Sequence, residues 1–418
     1  MKSKVFWLTV LLVVVLASSV AAVEINFWNG FTGPDGKGMA KMVDQFNQLH
    51  AGKIKVNMQV IGWGEYYQKI VTSIASGKAP EVGIMHVDRL PEFAGKGVLV
   101  SLNDVITDLG WSADNFIDAV WKAGIYQGER YGIPLDMHPL ALYINKDLFR
   151  EAGLDPEDPP KTKGEFLEVA KTLTKDTNGD GKIDQWGTAI PGSWPGPQFI
   201  VPTLIHQYGG KYTNQDVTEV TYDSPAAIEA LQFVVDLIYK DQVSPRNIQQ
   251  DGEVTLFRQG KLAMHFNGIW MINGFKAQEG LNFMSYPVPR LGNQMAVTGG
   301  SHNFVIFRQR YHDQEKRDAA LKFIKYISNN SAEWATFGQI PALNSVRESE
   351  DFQRLEHQAA IAEKIAYLVF PPLHPALNEI ITPLHQESNL AILGKKTPEE
   401  ALRDAAKRAQ KALDAYHD

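Results

Sequence analysis

Residues 25–87 read INFWNGFTGPDGKGMAKMVDQFNQLHAGKIKVNMQVIGWGEYYQKIVTSIASGKAPEVGIMHV. Ile25 to Trp28 has the length and content of a short strand, and Met39, Val43, Phe46 and Leu49 then recur at helical spacing. Ile54, Val56, Met58 and Val60 alternate with Lys55, Asn57 and Gln59, the period of a half-buried strand. Tyr67, Ile70, Val71 and Ile74 return to helical spacing up to Gly77, and Val82 to Val87 is an apolar run of strand length. Strand, helix, strand, helix, strand is the opening of a doubly wound α/β domain. Ligands of such sheets sit beyond the carboxyl ends of the strands. That rule points to the loops Trp28–Gly36 and His86–Arg89.

On the amino-terminal side, Lys2 and Lys4 precede an apolar run from Val5 to Ala17, followed by the small residues Ser18 to Ala22. This pattern predicts a cleavable export signal over 1–22, cut after Ala22, and the run is short for a retained bilayer anchor. The whole chain of 418 residues is long enough for two or three domains, and its formal net charge is -7. Without Lys2 and Lys4 the balance is 39 basic against 48 acidic side chains. No basic field exists for nucleic acid or anionic membranes. Cysteine is absent, which excludes disulfides, zinc-thiolate sites and lipid attachment through cysteine. The expected product is exported, soluble, monomeric and not a lipoprotein.

On the carboxyl side, a second unit begins near Tyr131. YGIPLDMHPLALYIN has strand character, and KDLFREAGL reads as a short helix ended by Gly153. Helices are expected over 164–174, 226–240, 313–329 and 398–416. KDTNGDGKID (175–184) places oxygen-bearing groups at Asp176, Asn178, Asp180, the Lys182 carbonyl and Asp184, with Gly181 at the turn. Those are the first positions of an EF-hand loop, but the twelfth is Gly187 instead of a bidentate Glu. A structural Ca2+ ion and an ion-free Asx turn both fit the pattern.

Signals for catalysis are weak. No nucleophile elbow, HExxH or phosphate-cradling loop occurs. His138, His265, His302 and His374 are scattered without ligand spacing and read as packing or hydrogen-bonding residues. Aromatic residues instead cluster in loop contexts, at Trp28 with Phe31, Trp63 with Tyr66, Trp194 and Trp270. Packing is the plain reading of any one of them. Three stand beside glycine, which opens space along an indole face. Flat aromatics combined with Asp, Asn, Glu and His suit the apolar faces and polar edges of sugar rings.

Several stretches together resemble the extracellular sugar-binding proteins of ABC importers, the family 1 solute-binding proteins that include maltose-binding protein. They are IASGKAPEV (74–82), YGIPLDMHPLALYINKDLFREAGL (131–154), LTKDTNGDGKIDQWG (173–187), FRQGKLAMHFNGIWMI (257–272), TGGSHNFVI (298–306) and IPALNSV (340–346). The resemblance implies an α/β, two-lobed periplasmic-binding-protein fold of type II, with doubly wound sheets, a cleft between lobes and a hinge. The implied first lobe is 23–136 with 297–340, and the second is 137–296 with 341–418. It further implies ligand contacts from Trp28, Asn29, Phe31, Trp63, Glu65, His86, Asp88, Asp136, His138, Tyr143, Trp194, Trp270, Gly299, Gly300 and His302, with Arg347 also within reach of the cleft. Asn145 reads as structural. No cofactor is required beyond the candidate Ca2+, and the implied partners are a sugar and the transmembrane subunits of an ABC permease. A binding protein for another solute, such as a glycerol phosphate, is the nearer alternative. A secreted carbohydrate-active enzyme is the more distant one, since Asp88, Glu129 and Asp136 could supply a carboxylate pair.

Overall fold

The computed structural model describes residues 22–417, so the export signal lies, but for Ala22, outside the described residues. The opening five elements form as expected: β1 (Val23–Asn29), α1 (Pro34–Leu49), β2 (Ile54–Val60), α2 (Trp63–Ala75) and β3 (Val82–His86). Further strands are β4 (Ile133–Pro134), β5 (Asp136–Asn145), β6 (Trp186–Thr188), β7 (Leu262–Gly268), β8 (Phe283–Pro287), β9 (Val297–Gly300), β10 (His302–Ile306), β11 (Ile340–Pro341) and β12 (Leu368–Val369).

Two sheets result. The first has the order β2-β1-β3-β10-β4; the second has β12-β9-β5-β7-β6, with β8 and β11 also paired to β5. β1 runs parallel to both β2 and β3, and parallel neighbours need the crossovers that α1 and α2 provide. Alternate residues of β3 and β10 serve different cores. Val82, Ile84, Phe304 and Ile306 join the cluster containing Phe27 and Phe46, whereas Met85, Val305 and Phe307 join the one containing Tyr66 and Phe93. Helices therefore cover both faces of the first sheet. The second lobe has its own core around β5, all ten of whose residues are buried.

The chain passes between the sheets three times: at 135–136, at Ser301, and between Trp334 and Ile340. Residues 297–300 were assigned to the first lobe from sequence. Gly299 instead lies opposite Pro139 and Thr298 opposite Val369, so the second passage falls at Ser301. The crossings are tied to one another, Leu135 N–H donating to His302 O at 2.8 Å and Ala342 N–H to Leu135 O at 3.0 Å.

The expected later helices occur at Lys163–Leu173, Pro225–Tyr239, Gln314–Asn329 and Pro398–His417. Leu377–Ile392 was not anticipated, because Pro383 interrupts its pattern. Burial of Ile380, Leu384 and Ala391 against its neighbours holds it as a helix regardless. Asn145 is structural as read: its side chain caps Lys146–Glu151 by accepting from the Asp147 and Leu148 amides.

Candidate functional site

A cavity of about 530 Å3 lies between the lobes, walled by residues from both. The carboxyl end of β3 contributes His86 and Asp88, and α2 contributes Trp63 and, one turn on, Tyr67. His138 on β5, Gly299 and Gly300 on β9, and His302 at the start of β10 line the hinge side. Trp194, Phe199 and Trp270 form the wall of the second lobe. The strand-end rule thus locates one wall, and the crossings supply the floor.

Two tryptophans are seated on glycine. A Cβ at Gly30 would lie 2.1 Å from the Trp63 ring, and one at Gly268 would lie 2.0 Å from the Trp270 ring. Any side chain there would displace the indole. Trp270 meets Trp194 at 5.9 Å and Phe199 at 5.6 Å between centroids, while Trp63 stacks on His302 at 5.7 Å and 9°. The cavity therefore presents an aromatic surface from each lobe.

Polar groups lie between them. Gln198 and Gln339 line the cavity, and the buried Oε1 of each has no hydrogen-bond partner. Asp35 and Asp88 also face the cavity, and burial raises the pKa of both; for Asp88 the neighbouring Arg89 opposes that effect. Arg89, the Lys or Arg among the lining residues, is paired to Glu92 at 2.5 Å and lies over the Tyr67 ring at 4.6 Å.

Below the cavity floor is Asp136, fully buried. It accepts from the His302 amide at 3.1 Å, His302 Nδ1 at 2.9 Å, His138 Nδ1 at 3.2 Å and Trp334 Nε1 at 2.7 Å. Burial alone would raise its pKa, but the charge of His302 and the His138 and His302 hydrogen bonds outweigh it, and the carboxyl stays well below its usual range. Asp136 thus binds side chains from all three crossings. Burial lowers the pKa of His86 and His138, which favours the neutral imidazole in both.

Nine of the residues named from sequence meet at the cavity: Trp63, His86, Asp88, His138, Trp194, Trp270, Gly299, Gly300 and His302. Seven do not. Trp28 lies outside, with Lys69 4.9 Å above its ring, and Glu65 is exposed on α2. Asn29 and Phe31 are buried beneath the wall; Asn29 Oδ1 accepts from the Phe31 amide, and Phe31 packs edge-on against Trp63 and His302. Asp136 supports the floor. Tyr143 is in the second-lobe core, its hydroxyl donating to Gly268 O at 2.7 Å. Arg347 turns from the cavity and donates to Pro341 O at 2.8 Å and Ala342 O at 2.6 Å, clasping the third crossing. Its burial brings the guanidinium pKa down to about 10.

Sequence reading also missed wall residues. Tyr67 could have been found, four residues after Trp63 and hence on the same helical face. Asp35 lies in the Trp28–Gly36 loop that the strand-end rule marked and Thr298 opens the 298–306 stretch, whereas Gln198, Tyr212, Gln339 and His385 carried no local signal. Of the histidines, His138 and His302 hydrogen-bond to Asp136 as read, and the fold brings these two, far apart in sequence, together with His86. His265 is a core residue and His374 packs near Tyr416.

In the loop at 176–184, every anticipated side chain accepts from a nearby amide. Asp176 takes Gly179 and Gly181 N–H, Asn178 takes Asp180, Asp180 takes Lys182, and Asp184 takes Thr177. Those Thr177 bonds hold the Asp184 carboxyl below its ordinary pKa.

Known proteins share this architecture. The ABC substrate-binding protein Lmo0181 of Listeria monocytogenes, solved in complex with cycloalternan, is 26% identical; the match covers 94% of this chain and 99% of that one, with a TM-score of 0.77. An ABC transporter solute-binding protein of Thermotoga lettingae, solved with α-D-tagatose bound, is 25% identical over 94% of this chain and 100% of that one, at TM-score 0.78. The sn-glycerol-3-phosphate-binding periplasmic protein UgpB of Pectobacterium atrosepticum is 25% identical, over 96% of this chain and 93% of its own. The fold is accordingly the two-lobed, type II α/β fold of ABC substrate-binding proteins. The profile describing the bacterial extracellular solute-binding proteins matches residues 31–334, and the chain belongs to that family.

Proposed function

We propose that the protein captures a neutral sugar, of disaccharide size or larger, between its lobes outside the cytoplasm and delivers it to an ABC permease. The observation that carries this reading is the pair of facing aromatic surfaces with the unpartnered Gln198 and Gln339 oxygens between them. Aromatic faces suit C–H surfaces, and buried acceptors suit hydroxyl donors. The proposed leader, cleaved after Ala22, would release a monomeric, non-lipidated protein, and mass spectrometry of the exported product would fix that cut.

A glycerol phosphate is the second reading, favoured by the similarity to UgpB. A phosphate needs convergent cations. Arg89 is engaged with Glu92, and Asp35 and Asp88 line the same cavity, which favours an uncharged solute. Binding itself, with no reaction, is the proposed activity.

A panel of sugars and sn-glycerol 3-phosphate, read by thermal midpoint and tryptophan fluorescence, tests this. A neutral sugar should raise the midpoint and quench fluorescence, and Trp270→Ala should weaken it by roughly tenfold or more, about 1.4 kcal/mol. Stabilisation by glycerol phosphate alone, or turnover of a sugar into products, would replace the reading. For the loop at 176–184 we propose Ca2+ as a structural brace, because a carboxylate that accepts one amide keeps further lone pairs for an ion.

A further inference from the structure

We propose that His86, His138 and His302 hold a divalent transition-metal ion of the Zn2+ class at the floor of the cleft, with one coordination position open to the solute cavity. Each residue offers a ligand atom, and the three atoms lie within 4.8 Å of one another. They come from three different strands. His86 ends β3, His302 begins β10 directly opposite it in the antiparallel register, and His138 stands on β5 across the hinge. The ring centroids are 4.9 Å apart for His86 and His302, 4.3 Å for His138 and His302, and 5.9 Å for His86 and His138. A tetrahedral ion with bonds of about 2.0–2.1 Å would hold three imidazoles with centroids about 5 Å apart. Small side-chain shifts would close the set.

The protonation pattern points the same way. Ionised Asp136 can only accept, so its bonds to His138 Nδ1 and His302 Nδ1 place a proton on Nδ1 of both rings, and each ring in its neutral form then keeps the Nε2 lone pair for a metal. His86 Nδ1 meets Tyr67 Oη at 2.7 Å, a distance at which Nδ1–H can donate to the phenol oxygen. Among the described residues no hydrogen bond engages Nε2 of any of the three. An imidazole whose Nδ1–H is held by a carboxylate or other oxygen is the usual metal-ligating histidine. Three imidazoles suit Zn2+, Ni2+ or Cu2+ and do not suit Ca2+ or Mg2+.

The surrounding charge also favours a cation. Asp136 lies beneath the rings, and Asp35 and Asp88 line the same cavity. The open side faces the solute space, where water or a hydroxyl or carboxylate oxygen of a solute would complete the coordination. This site does not depend on the sugar reading, since it can be loaded with metal alone.

The test is the full exported protein, stripped with chelator, titrated with Zn2+ by calorimetry and with Co2+ by visible absorption. One equivalent should bind, Co2+ giving the d–d band of a low-symmetry, four- or five-coordinate nitrogen site. His86→Ala should abolish that band. Tyr67→Phe, which removes the hydroxyl that meets His86 Nδ1 and accepts from the His86 amide while keeping the ring, should weaken Zn2+ about 10- to 100-fold. Absence of stoichiometric binding by the wild type would overturn the site. So would an affinity left unchanged by both substitutions, which would place any bound metal elsewhere.

Discussion

Asp136 and Glu253 are both buried carboxylates, and their surroundings drive them in opposite directions. Asp136 has four N–H donors around it and remains charged. Glu253 is fully buried, neither carboxylate oxygen has a hydrogen-bond partner, and burial pushes its pKa from 4.5 up to about 7. The folded state therefore binds more protons than the unfolded state between those values, so Glu253 makes stability fall as pH rises from about 4.5 to 7. Glu253→Gln removes that loss. Denaturant unfolding should show the variant more stable than wild type by about 2–3 kcal/mol at pH 8 and nearly equal at pH 4.5. An equal difference at both pH values would refute the assignment. Neither residue announces its charge state in the sequence, because what differs is the number of donors that distant segments bring to each.

At the scale of elements, local patterning was a good guide where a segment answers mainly to its own periodicity. The strands β1 to β3 and the four later helices fall within a residue or two of expectation, while α1 and α2 begin at Pro34 and Trp63, before the Met39 and Tyr67 at which their periodicity was read. Leu377–Ile392 was not read as a helix, and burial of Ile380, Leu384 and Ala391 holds it as one around Pro383. The turn in the loop at 176–184 was legible too, down to the position of Gly181 at φ +82°. If Ca2+ braces it, calcium titrated into chelator-treated protein should release or absorb heat at millimolar or lower concentration. Calcium should also raise the thermal midpoint while changing solute affinity little. A flat titration at millimolar calcium would leave the loop as an ion-free Asx turn. Arg347 belongs to this scale as well: its donors reach back five and six residues to fix the turn after β11.

For the whole molecule, function rests on two lobes, three crossings and a cavity that both lobes line. A solute touching Trp63 on one side and Trp270 on the other gains both surfaces only when the lobes are closed. Converting a 1:99 population of closed molecules to 99:1 requires about 5.5 kcal/mol of preference for that state. Small-angle scattering should accordingly show a smaller radius of gyration with saturating solute, and Trp270→Ala should need more solute to reach it. An unchanged radius at saturation would mean that the lobes are already closed without solute.

The sequence by itself determined the α/β class and the strand-end location of one cleft wall, because periodicity is a local signal, while the resemblance to the family pointed to Trp63, Trp194 and Trp270 as cleft aromatics. Only tertiary structure decided that His86, His138 and His302 converge, that Asp136 binds the crossings together, and that Tyr143 and Arg347 face away from the cavity. The reason is register: His302 stands opposite His86 only in one alignment of β10 on β3. A slip of one residue would turn it to the other face of the sheet. That alignment is set by the long-range packing of both faces, which no short stretch of the chain encodes.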